Sequence, residues 1–237
     1  MDWTTVKVAC LILKHHGVSA CIVGELALNY YNVPRVCHDV QICVPKLSSA
    51  VAAGILCSTG LFEPFEHEQN AEFNNYAQYK QGLPHLLTII IFSASFFGLD
   101  PIKEVLVQPF ADRDVYISKE TQGLSRDDLT HLRLPRLAPL IGGLAKRYLD
   151  TRDDVSMIAL EQLVDGMNPD ESWVQQYLEG AEPAVRALVM DLVRDKKSRI
   201  DYFSDNQVTC FIKDEKEAAN QERRLAQPTP CGSQKDG

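Results

Sequence analysis

Residues 22–45 read IVGELALNYYNVPRVCHDVQICVP. Gly24 and Glu25 turn the chain after an apolar run, Arg35 and His38 follow a short helical stretch, and Asp39 and Gln41 stand two residues apart in an alternating segment. Alternate residues of a strand share a face, so Asp39, Gln41 and Cys43 point one way and Val40, Ile42 and Val44 the other. Two carboxylates at that spacing would jointly hold Mg²⁺ for phosphoryl chemistry, but the second position is Gln41, a neutral amide and a poor magnesium ligand. The equipment left is hydrogen bonding and proton transfer. Arg35, His38, Gln41 and Lys146 are the candidate catalytic residues, as donors to a polarised carbonyl or as acid/base groups. Glu25, Tyr30, Asp39, His85, Phe96 and Phe97 are the candidate substrate-binding residues, the aromatic ones because they would line a cleft that has become apolar. No metal site and no cofactor are expected.

Each of these residues also has a plainer reading. Gly24 closes a strand-to-helix turn; Arg35 forms a structural pair with Asp39 or Glu25; His38 is a satisfied hydrogen-bond partner; Gln41 is a polar residue on a sheet surface. His85 caps the end of a very apolar strand, and Tyr30, Tyr31, Phe96 and Phe97 are ordinary core. Lys146 and Arg147 lie on an otherwise apolar helix, where one is expected to reach the cleft and the other to snorkel outward. Asp153 and Asp154 read as N-cap groups, and residues 194–197 as a solvated helix end.

The elements that must position these groups follow from periodicity. WTTVKVACLILKHHG reads as a helix capped by Thr4 or Thr5 and closed by Gly17. Ser19–Val23 is a buried strand, Leu26–Tyr31 a short helix, DVQICVP a strand, and Lys46–Thr59 a helix ending at Gly60. Asn74–Lys80, His85–Ser93 and the VYIS segment complete the strands. Beyond Leu134 four helix-period segments follow, with Pro135 in a first turn and Gly166 and Gly180 as C-caps. The expected fold class is α+β: an α/β core over residues 1–133, a helical region over 134–218, and a polar, aperiodic tail over 219–237 read as disordered.

The strand, Gly turn, short helix and acid-opened strand of residues 22–45 resemble the nucleotidyltransferase-fold superfamily. LPRLAPLIGGLAKRYLDTRDDVSMIALEQL is similar to the helical segment that follows the catalytic domain there. Lys146 and Arg147 match its basic residues, and Arg152, Asp153 and Asp154 its Arg-x-x-Asp turn. The resemblance covers roughly residues 5 to 165. It implies a small mixed sheet with flanking helices, a cleft between the two halves, and a carboxylate triad holding Mg²⁺ at nucleotide. This chain departs from that triad. Glu25 replaces the second turn residue, Gln41 the second acid, and the strand HLLTIIIFS has no acid. Degenerate members occur in fungal natural-product pathways, so the resemblance admits a metal-free pericyclase of the norbornene-forming, Diels–Alderase type acting on a small apolar metabolite. A working nucleotidyltransferase using Asp39 with Glu25 or with an acid not placed by these motifs, and a non-catalytic binding protein, are the alternatives.

Composition narrows the partners. Lys plus Arg is 24 and Asp plus Glu is 32, for a net charge of −8, which argues against a broad nucleic-acid surface. No run of about 18 apolar residues exists and the first residues lack a basic leader, so neither a membrane partner nor a secretory signal is expected. The seven cysteines form no CxxC pair, which points to a reducing, cytoplasmic setting.

Overall fold

A computed structural model describes residues 3–31, 33, 35, 39–65, 82–86, 89–99, 102–103, 107–109 and 131–196. His38, the expected strands Asn74–Lys80 and VYIS, and the tail from 219 lie outside these residues.

The chain opens with α1 (Trp3–His15), β1 (Cys21–Val23), α2 (Gly24–Tyr30), β2 (Val40–Val44) and α3 (Ser49–Ser58). Then come β3 (His85–Leu86), β4 (Ile89–Ser93), a 3₁₀ turn (Ala94–Phe97), β5 (Val107–Pro109) and β6 (Arg133–Pro135). The helices α4 (Leu137–Thr151), α5 (Asp154–Met167), α6 (Glu171–Tyr177) and α7 (Pro183–Arg194) complete it. The architecture is α+β, with a four-stranded mixed sheet in the order β1-β2-β4-β3. β1 and β2 are antiparallel, β2 and β4 parallel, β4 and β3 antiparallel, while β5 and β6 form a separate antiparallel pair. β2 is buried along its whole length, as a central strand covered on both faces must be.

Several expectations are met and several need correction. Gly17 takes the left-handed conformation that closes α1, at φ 73°. Thr4 and Thr5 do not cap that helix, since it already includes them. The stretch His85–Ser93 is two strands, with Leu86 in register with Ile89 and His85 with Ile90. A continuous apolar run cannot reveal a hairpin inside itself, because both strands are buried and neither alternates. Pro135 ends β6 instead of starting a helix, and α4 begins at Leu137. Gly166 is buried inside α5, and Asn168 at φ 47° supplies the left-handed cap; asparagine tolerates that conformation. α6 ends at Tyr177, short of Gly180.

β6 spans the expected boundary at 133/134, and the buried side chains of sheet and helices form a single cluster. One contact joins the end of α2 to β6, and another joins α4 to the 3₁₀ turn. Tyr31 Oη donates to the Pro135 carbonyl at 2.6 Å. Gly143 on α4 meets the 3₁₀ turn backbone to backbone: a Cβ there would lie 1.8 Å from the Phe97 carbonyl oxygen. Only glycine permits that approach.

Candidate functional site

The register of the sheet places Val23, Gln41, Ile90 and His85 in one row across β1, β2, β4 and β3. Residues facing each other across paired strands share a face, and Asp39 lies two residues before Gln41 on the same side. Asp39, Gln41 and His85 thus share one face, although 46 positions of sequence separate the outer two and a short hairpin carries His85. His85 Nε2 lies 3.9 Å from Asp39 Oδ1. This is ion-pair range and longer than a hydrogen bond, a spacing common in sites that tighten around a substrate.

Exposure tells which end of this face a ligand can reach. Gln41 is 2% exposed, whereas the Asp39 side chain keeps 24% and that of His85 11%, with its Nε2 buried. The Gln41 carboxamide lies directly over Gly24, where an added Cβ would meet its Oε1 at 2.3 Å. Gly24 itself sits at φ 64°, so both conformation and space demand glycine there. Beside the pair stands Phe65, 41% exposed, with its ring 5.0 Å from the imidazole and its N–H donating to the His85 carbonyl at 2.8 Å. Sequence reasoning missed Phe65, since it belongs to no periodic element; its only signal is a large aromatic beside Pro64 in a polar stretch.

The other candidates scatter. Glu25 lies in the first turn of α2 with its Oε2 buried. Arg35 is gripped through its backbone by Asn29, which accepts from its N–H at 2.6 Å and donates to its carbonyl at 3.0 Å. Its Nη2 donates to Gln162 Oε1 at 2.5 Å, so Arg35 ties the α2 region to α5. Lys146 is a correction. It is exposed and pairs with Glu182 at 2.7 Å and Asp150 at 3.6 Å. The inward basic residue is Arg147, whose guanidinium carbon sits 3.3 Å from the centre of the Phe96 ring and whose Nε donates to Asp153 Oδ2 at 2.9 Å. Consecutive helix residues diverge by about 100° around the axis, so only one can face the core.

Asp153 caps α5 through the Val155 N–H and also accepts from Ser156 at 2.7 Å. Burial pushes its carboxyl up, but the hydrogen bonds from Ser156 and Arg147, with the arginine's charge, win and hold it below the usual carboxylate range. Tyr30 and Phe97 are also corrected: at 1% and 5% exposure they are core, Tyr30 edge-on to Tyr31 and Phe97 stacked among Phe92 and Phe96. Phe96 is half-buried beneath Arg147.

Among the described residues the donor set does not fit a magnesium–nucleotide centre. Opposite Gln41 on the parallel neighbour stands Ile90, so neither position offers an acid. Among the described residues no three His, Cys, Asp or Glu side chains come together as a metal-ligand group. The chain matches no protein-family model and no curated protein.

Proposed function

We propose that the chain is a nucleotidyltransferase-like protein whose Asp39–Gln41–His85 face performs a metal-free cyclisation of a small, largely apolar metabolite. The observation that carries this reading is the composition of the face. It holds one carboxylate, set against an imidazole, with an amide and an isoleucine where further acids would be required. Such a face cannot concentrate enough negative charge for Mg²⁺, which dehydrates reluctantly. It can hold a carbonyl and polarise it.

A substrate entering at the exposed end would rest its hydrocarbon on Phe65 and present a carbonyl to His85, with Asp39 orienting the imidazole. In an intramolecular cycloaddition two new carbon–carbon σ bonds replace two π bonds, no atom leaves and no electron is transferred to an acceptor. The protein need supply only conformation and polarisation. Holding the reacting ends in a near-attack geometry is the larger contribution, and a hydrogen bond to the carbonyl adds roughly 10- to 1,000-fold.

The test is turnover of a linear substrate carrying a diene and a carbonyl-activated alkene, followed as a product of unchanged mass. Product formation is expected to persist undiminished in EDTA. Loss of activity in EDTA with recovery on adding Mg²⁺ would overturn the reading.

A further inference from the structure

A second concave region lies at the C-terminal end of α1, between that helix and the β5–β6 pair, well separated in sequence from the Asp39–His85 face. It encloses about 300 Å³, the lower end of the range for small-molecule sites. Lys14, Lys103, His131 and Arg133 line it, Cys10 and Val107 form part of its buried wall, and none of the described lining residues is acidic. In a chain whose acids outnumber its lysines and arginines by 32 to 24, two lysines and an arginine with a histidine, and no acid among the described lining residues, are a marked local reversal of charge.

We propose that this cavity binds a small oxyanion carrying two or more negative charges, of the phosphate-ester or pyrophosphate class. Arginine presents a planar fork that matches phosphate oxygens, and lysines add point charges that adapt to them. Lys14 and Lys103 are exposed at the mouth, while His131 and Arg133 are half-buried. The Gly17 and Val18 N–H groups donate to the Lys14 and Leu13 carbonyls at 3.0 and 2.9 Å, which caps the negative end of α1. Burial, with a smaller contribution from Cys43, pushes the Cys10 thiol up to about 12, so it stays neutral near pH 7 and adds no opposing charge. The volume admits a phosphate group with a small organic body and no polymer.

The experiment is calorimetric titration of the full chain with inorganic pyrophosphate in low-salt, metal-free buffer, beside a Lys14→Glu/Lys103→Glu double variant. Both lysines are exposed, so the variant should keep the wild-type melting temperature, measured in parallel. Wild type is expected to show one saturable site that weakens as salt rises, and the double variant to bind at least about tenfold more weakly. Absence of saturable binding by the wild type would overturn the proposal. So would equal affinity in the variant, or a loss on Asp39→Asn in place of the lysine changes. The proposal is independent of the cyclisation reading, because the two sites share no residue.

Discussion

Gly143→Ala should lower the melting temperature sharply. The added Cβ would lie 1.8 Å from the Phe97 carbonyl oxygen, 2.5 Å from its carbonyl carbon and 3.1 Å from the Gly98 nitrogen. All three are main-chain atoms, so no rotamer change relieves the overlap; α4 and the 3₁₀ turn must separate. Overpacking of this kind costs about 3 kcal/mol or more when nothing flexible can yield. For a chain of this size that is a fall of roughly 6–12 °C. Gly142 provides the internal control. Its nearest neighbour across the interface is a Leu178 methyl at 3.8 Å, an ordinary contact. Alanine is the better helix former by about 1 kcal/mol, so Gly142→Ala should hold or raise the melting temperature. Thermal denaturation of the two variants side by side decides it, and a Gly143→Ala protein melting within a degree or two of wild type would refute the packing argument.

The second large effect belongs to His85. Its replacement by alanine should reduce turnover by about 10- to 1,000-fold, the cost of losing one donor to a developing oxyanion. Asp39→Asn should also reduce turnover, through orientation of the imidazole and not through contact with substrate. Its effect is therefore expected mainly in kcat, with KM little changed. Phe65→Ala should instead raise KM, since it removes apolar surface from the entrance. Lys146→Ala should leave the rate within about twofold of wild type, because an exposed ion pair contributes little. A Lys146→Ala loss equal to that of His85→Ala would return catalysis to the helical half of the chain.

Much of this site was legible before any coordinates. Asp39 and Gln41 share a face because a strand has period two, and that holds whatever the strand packs against. The acid-free character of His85–Ser93 was equally plain, and Asp153 as a helix cap follows from local geometry alone. What escaped was whatever depended on distant partners. The hairpin within residues 85–93 shows only in the pairing of Leu86 with Ile89. Whether Lys146 or Arg147 turns inward is set by Phe96, half a hundred residues earlier, and by Asp153. Tyr30 and Phe97 looked like cleft walls by residue type, and burial makes them core. The contact of Gly143 with the Phe97 carbonyl has no signature beyond a Gly-Gly pair in a helical pattern.

The claim at the centre of this account is that the Asp39–Gln41–His85 face does not hold a metal–nucleotide complex. Calorimetry with ATP, with and without Mg²⁺, on wild type and Asp39→Asn tests it without knowledge of any substrate. The account predicts no component of binding that requires Mg²⁺, and identical isotherms for the two proteins; heat from the basic cavity would be metal-independent and unaffected by Asp39→Asn. Micromolar affinity that appears only with Mg²⁺ and disappears in Asp39→Asn would contradict it.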